Sequence, residues 1–413
     1  MKRFDAVVLG AGIVGVSTAL HLQARGRAVA LLDRRGAGEE TSYGNAGLIE
    51  RSSVIPYAFP RSMPALLRYA TNTRLDVRFH WSFLPRIAPW LFEYWRQSSP
   101  QRLADATRAM LPLIENSIVE HQPLIEAAGV GNLVRKDGWL ELFRSESVLR
   151  QAVETRHLLN PYGLKSKVLS WESLKQLEPG LRGEAAGAIQ WQDPWTVSDP
   201  GAITQSYARL FESQGGAILS GDARSLSWDK EGWTLQDRDG PVHARNVVVA
   251  LGAWSDAIFK PLGYRIPLEV KRGYHRHFRQ AETDGLRNSI VDVEYGYVLA
   301  PMTQGVRLTT GIEFAPRDSK PTPVQINRLE PIARKLLPMG EAVETTPWLG
   351  NRPCLPDMRP VIGEAPRHKG LWFAFGHAHH GFTLGPATGR LLAEMITGEP
   401  TFADARPFAA DRF

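Results

Sequence analysis

Residues 10–15 read Gly10-Ala11-Gly12-Ile13-Val14-Gly15, and Asp33 lies 23 residues beyond Gly10. The three glycines have separate jobs. Gly10 permits a tight turn, Gly12 lets the backbone approach a pyrophosphate, and Gly15 lets a helix pack closely on a strand. A helix opening at Ile13 and Val14 turns N–H groups and positive potential toward the phosphates. Asp33, with Arg34 behind it, can accept both hydrogen bonds of a ribose diol. Its charge would repel a 2′-phosphate, which argues against NADP. The motif alone fits NAD and FAD equally.

Two later segments carry other chemistry. In Gly350-Asn351-Arg352-Pro353-Cys354-Leu355-Pro356-Asp357 the guanidinium of Arg352 could clamp a carboxylate through two parallel hydrogen bonds, or pair structurally with Asp357. His377 and the pair His379-His380 suggest metal ligands. No carboxylate or cysteine is spaced to complete a site, so no metal is expected.

These groups need elements to hold them. Ala6 to Leu9 is an apolar run suited to a buried parallel strand. Val14, Ala19 and Leu22 fall at helical spacing, Gly26 ends the helix, and Ala28 to Leu32 is a second strand. This is the βαβ context that the glycine motif requires. Three further segments choose between the dinucleotides. Thr41 to Ile49 is a small-residue loop in which Thr41, Ser42, Asn45, Ala46, Gly47 and Leu48 could close around a second phosphate or a flavin ring. Asn246 to Ser255 reads as a buried strand ending in a turn that brings Ala250, Gly252 and Trp254 to the cofactor, and Trp228 to Val242 before it alternates as antiparallel strands do. Leu371 to Phe375 is a strand, followed by a helix that starts near Pro386 or a few residues earlier and runs to about Ile396, with Gly398 after it. Gly381, Phe382, Thr383 and Leu384 lie at its entry. A second helix N-terminus suits a second anionic site, and reduced flavin carries negative charge at N1 and C2=O.

The bulk composition narrows the rest. The chain has 413 residues, 43% hydrophobic and 22% charged, enough for two or three domain-sized cores. A net charge of +6 is too mild for nucleic-acid binding. Neither a membrane-spanning run nor a signal peptide is visible, and the single cysteine, Cys354, fits a reducing compartment, so a cytoplasmic protein is expected. Arg51 to Met110 holds nine arginines and three acidic residues, with Trp81, Trp90 and Trp95. That mix suits either a peripheral membrane contact or an amphipathic helix pair covering the substrate site.

The segments GAGIVG, TSYGNAGLI, VVVALGAWS, RPCLPDMRPVIG and GHAHHGFTLGPATGRLLAEMI together resemble the FAD-dependent D-amino-acid dehydrogenase and glycine/sarcosine oxidase family, in order and from end to end. The resemblance implies an α/β fold: a Rossmann-type FAD-binding domain with a discontinuous α+β substrate domain built on an antiparallel sheet. Residues 1–55, 150–225, 242–268 and 345–413 would form the first, and 56–149, 226–241 and 269–344 the second. The matching arginine, Arg352, would bind the substrate carboxylate, and Arg359 would be structural. Tyr274 or Tyr297 would cap the substrate, and His379 or His380 would line the flavin pocket. Leu355 stands where the family often has Thr. Cys354 is off the position at which some relatives tether flavin, and the Thr41–Ile49 loop has no tethering residue, so FAD would be non-covalent. The implied reaction is hydride transfer from Cα of an amino acid, most simply a D-amino acid, to flavin N5. The imino acid then hydrolyses to a keto acid and ammonia, and the electrons pass to a quinone or other carrier. Two alternatives share nearly every residue: an oxidase of glycine, sarcosine or a cyclic imino acid such as a D-proline derivative that makes hydrogen peroxide, and an FAD-binding subunit of a membrane-associated dehydrogenase complex.

Overall fold

The computed structural model describes residues 2–229, 232–280 and 285–413. Residues 230–231 of the alternating Trp228–Val242 segment and 281–284 of the expected substrate portion lie outside it.

The strand Lys2–Leu9 becomes fully buried at Ala6 and stays so to its end. It pairs in parallel with Val29–Asp33 on one side and with Gly240–Val249 on the other. Such central strands need apolar residues on both faces. Ala6, Val8, Leu31 and Val248 face a layer of helices, while Val7, Leu9, Leu32 and Val249 face Phe259, Phe373 and Phe375. Ala217–Ser220 and Leu371–Phe375 extend this eight-stranded sheet in parallel. Ser227–Asp229, Gly232–Asp237 and Gly240–Val249 form the expected antiparallel strands at its edge.

A second, eleven-stranded sheet is mostly antiparallel. Its long strand Glu269–Gln280 pairs with Gly305–Thr310 and with Trp348–Cys354. Tyr297–Met302 and Trp139–Phe143 continue the sheet. The helix Val324–Leu336 closes one face with Ile326, Leu329 and Ala333.

The sheets redraw the expected division. Segment 226–241 was assigned to the substrate portion, but its strands hydrogen-bond to Gly240–Val249 in the first sheet. Ser166–Ser170 and Gly187–Trp191, expected with the cofactor portion, join the second sheet, where Ile189 and Trp191 bury against Trp139 and Phe143. Trp348–Cys354 also belongs there. The helices Pro100–Glu115 and Ser117–Ala127 were expected beside the substrate sheet. They instead pack Met110, Leu113, Ile114 and Ile125 against the helical layer of the first sheet.

The first helix, Ile13–Gln23, crosses the last, Gly381–Thr397, at very short range. A Cβ on Gly389 would lie 2.7 Å from the Ser17 carbonyl carbon, and one on Gly385 would lie 3.0 Å from Ile13. The last helix runs through Pro386, which has no N–H for the carbonyl of Phe382. Buried His121 supplies the missing donor: its Nε2 lies 2.8 Å from that oxygen. Among the described residues, no helix is long and apolar enough to cross a membrane.

Candidate active site

A cavity of about 1070 Å³ runs between the two sheets. One end is walled by Gly10 to Val14, Asp33, Arg34 and Trp254. Gly10 has φ +104°, and a Cβ there would lie 2.6 Å from the Ala250 oxygen. A Cβ on Gly15 would lie 1.9 Å from the Gly10 oxygen. Positions 10 and 15 are therefore closed to a side chain. Asp33 is fixed by two main-chain donors: Oδ2 accepts from Ala11 N and Oδ1 from Arg35 N, each at 2.8 Å. Each oxygen keeps acceptor capacity for a hydroxyl. Arg34 lies over the Trp254 ring at 5.3 Å and adds positive charge beside this end.

The loop Thr41–Ile49 reaches the middle of the cavity and is pinned from several directions. Ser42 Oγ accepts from Ile13 N at 2.9 Å, and Thr41 Oγ1 donates to the Asn351 carbonyl at 3.0 Å. Asn45 Oδ1 accepts from Gly47 N and Leu48 N. Arg307, buried in the second sheet, donates to the carbonyls of Tyr43 and Asn45. Leu48–Ile49 pairs with Trp195 and Thr196 in a small third sheet. The last helix starts at Gly381, with Gly381 and Phe382 on the cavity wall. Two helix N-termini thus meet one elongated cavity. A glycine cradle that any Cβ would fill, an aspartate poised for a diol, and a second helix start at the far side fit FAD.

At the other end Arg352 lines the cavity and donates to the carbonyls of Gly311 at 2.9 Å and Thr310 at 3.3 Å. A Cβ on Gly273 would come within 2.6 Å of its guanidinium, so that glycine makes its seat. Asp357 takes no part. It pairs with Arg359 at 3.0 Å and with Arg412 at 2.7 Å. Arg359 is thus structural, as expected. His379 also lines the cavity, 4.9 Å from the Tyr57 ring. Burial keeps all three histidines neutral, with His377 lowered to about 3, His380 to about 4 and His379 well below the ordinary value.

The expected capping tyrosines line the cavity, with their hydroxyls bonded to protein groups. The Tyr274 hydroxyl accepts from Arg272 at 2.9 Å and from Thr322 N at 2.7 Å, and donates to Glu313 at 3.0 Å. That uses its whole capacity. The Tyr297 hydroxyl lies 3.2 Å from Arg144, in the network around Asp292. Both rings border the cavity, while their hydroxyls are engaged by these protein partners. Four expected cofactor residues support the cavity without lining it. Gly15 serves packing, and Gly47 clears the Val197 oxygen at φ +74°. Thr383 Oγ1 accepts from Glu50 N and donates to the Leu48 carbonyl, and Leu384 is core.

Among the cavity residues that escaped the sequence reading are Glu50, Tyr57 and Glu141. Glu50 supplies the carboxylate found missing beside the histidines, from 329 residues away. The signals were faint. Glu50 is a charge placed directly after the apolar Leu48-Ile49, and Glu141 shares a strand face with Trp139 and Phe143. Within the Arg51–Met110 stretch, residues between Tyr57 and Tyr94 roof this end. Trp90 and Tyr94 bury beneath it, and Lys271 Nζ sits 4.0 Å from the Tyr94 ring centre.

The sequence profile of the family described as FAD dependent oxidoreductase matches residues 5–395. The chain is 29% identical, over 98% of both chains, to a protein named D-amino-acid oxidase from Bradyrhizobium diazoefficiens. It is likewise 29% identical, over 98% of both chains, to a D-amino acid dehydrogenase from Paramagnetospirillum magneticum. Its fold superposes on glycine oxidase from Geobacillus kaustophilus with a TM-score of 0.74 at 22% identity, covering 100% of each chain.

Proposed function

We propose, for a chain that belongs to the FAD-dependent oxidoreductase family and oxidises amino acids with that cofactor, that Arg352 holds the substrate carboxylate and that the substrate is a D-amino acid. The carrying observation is the Arg352 guanidinium, braced by two main-chain carbonyls at the cavity end opposite the glycine cradle. The names of the relatives support the D configuration.

FAD, when bound, supplies the two-electron acceptor for the hydrogen on the substrate α-carbon. Gly10, Gly12, Ile13, Val14, Asp33 and Ser42 would hold its nucleotide portion. Asn45 to Leu48, Gly381 and Phe382 would border its ring, and the last helix would set positive potential beside it. The chain does the rest by orientation and exclusion of water. Arg352 fixes one end of the substrate so that the α-hydrogen has a single direction. The roof from Leu84 to Tyr94 keeps the site dry, and a dry site strengthens each charge inside it.

The proposal extends to the electron acceptor, a quinone or carrier reached by peripheral contact at the inner face of the membrane. Met63, Leu67, Trp81 and Phe92 are exposed among the arginines of the roof, which supports an interfacial face.

An anaerobic titration with D-, L- and N-alkylated amino acids tests this reading. D-amino acids should bleach the flavin band, with fast recovery on adding a quinone and slow recovery in air. Fast recovery in air would make the protein an oxidase. A flavin that no amino acid bleaches would remove the role given to Arg352.

A further inference from the structure

Glu50 is buried, 8% exposed, yet it lines the cavity. Its main-chain N–H is tied to Thr383 Oγ1 at 3.1 Å, which fixes it against the start of the last helix. Its carboxylate and the imidazole nitrogens of His379 and His380 lie within 4.8 Å of one another. His379 Nε2 and His380 Nδ1 have no hydrogen-bond partner in the structure. A buried carboxylate in such a place is costly unless something pairs with it. Arg352 is close enough to His379 for its charge to act on that ring. The substrate end therefore holds an anion-binding guanidinium and, past His379, an acid. An amino-acid zwitterion carries the complementary pair of charges.

We propose that Glu50 receives the amine end of the substrate and takes its proton before the α-C–H bond breaks, which makes Glu50 a catalytic residue. The inference rests on the amino-acid reading above and on Arg352 as the carboxylate clamp. The step balances. One N–H bond of the ammonium breaks and one O–H bond forms on Glu50, leaving a neutral amine. Its lone pair forms the C=N bond as the α-hydrogen leaves with its electron pair to FAD, the oxidant of the family's reaction.

Four groups face Glu50: Tyr57 from the following loop, His379 and His380 from the turn before the last helix, and Glu141 from the strand Trp139–Phe143. Arg352 and Lys271 lie beyond His379. Burial first, then the like charge of Glu141, push the Glu50 carboxyl up to about 8. An ammonium beside it restores the charged form. A base near neutrality suits proton removal better than His379, which burial holds far below that range.

The test compares wild type with Glu50→Gln and Glu50→Asp as FAD holoenzymes, matched for flavin content and melting temperature. Stopped-flow flavin reduction is followed from pH 6 to pH 10 with the amino acid that reduces wild type fastest. Binding of acetate and benzoate, carboxylates without an amine, is read from the flavin spectrum. Glu50→Gln should reduce about 10²-fold more slowly at pH 7. The deficit should shrink as rising pH deprotonates the substrate itself. Glu50→Asp should recover part of the pH 7 rate, and both variants should bind benzoate as wild type does. A deficit equal at every pH, weakened benzoate binding in Glu50→Gln, or no deficit overturns the role of Glu50. Wild type that no amino acid reduces overturns the underlying reading as well.

Discussion

The two ends of the cavity are built from different materials. The nucleotide end is mainly backbone: glycines without room for a Cβ, main-chain donors, and one aspartate held by two N–H groups. Its parts come almost wholly from one βαβ unit. The substrate end is mainly side chains, with Glu50, Glu141, Arg352 and His379 arriving from four separate segments. Backbone recognition depends on shape and is broken by adding atoms. Side-chain recognition depends on charge and is broken by removing it.

That contrast orders the predictions. The largest effect should come from one methyl at the backbone end. Gly15→Ala places a Cβ 1.9 Å from the Gly10 oxygen, so the protein should purify without flavin absorbance. Full FAD occupancy in that variant would break the contrast. Arg352→Met should keep its FAD and lose about 10²- to 10³-fold in kcat/KM, the scale of an unpaired buried charge contact. Flavin content and steady-state kinetics check both halves.

Acid should act next, through the side-chain end. Burial holds His377 at about 3 and His380 at about 4 when folded. The unfolded chain takes up these protons first, near the ordinary value of about 6.5. Stability from these groups is thus present above pH 6.5 and is lost as pH falls toward 4 and then 3. Melting temperatures across that window should fall, and a flat profile would contradict the buried neutral state. Gly273→Ala should be milder, because its Cβ displaces only the flexible guanidinium of Arg352. About a tenfold rise in KM is expected, with FAD retained. Tyr274→Phe should leave kcat/KM within about twofold, while costing about 1–3 kcal/mol of stability by orphaning partners of its hydroxyl. A large loss of activity there would return Tyr274 to the site.

The same contrast explains what the sequence discloses. The βαβ unit, the Thr41–Ile49 loop and the last helix are local patterns, and local spacing reports them. Arg352 stands out by its Arg-Pro context. Apart from Arg272 on its own strand, the partners of Tyr274 and Tyr297 come from other elements, 39 residues away for Glu313 and 153 for Arg144. Only tertiary pairing shows which groups engage their hydroxyls. Glu50 was hidden for the same reason, since its neighbours His379 and His380 are brought to it by the crossing of the first and last helices. The sheet membership of 166–191 and 227–237 likewise depends on which strand each edge meets, which alternation within a strand does not state.

The close crossing of those two helices also sets a timetable. The glycine turn at Gly10 and the start of the last helix at Gly381, both on the cavity wall, are 371 residues apart (381 − 10). At about 5–20 residues per second, the ribosome delivers the second roughly 20–70 s after the first. During that interval Lys2–Leu9 lacks first Gly240–Val249 beside it and then the C-terminal helix over it, leaving an apolar strand edge open to pairing with other chains. A truncation reaching residues 371–397 should therefore yield a chain that aggregates rather than a soluble apoprotein, which expression of such a chain checks.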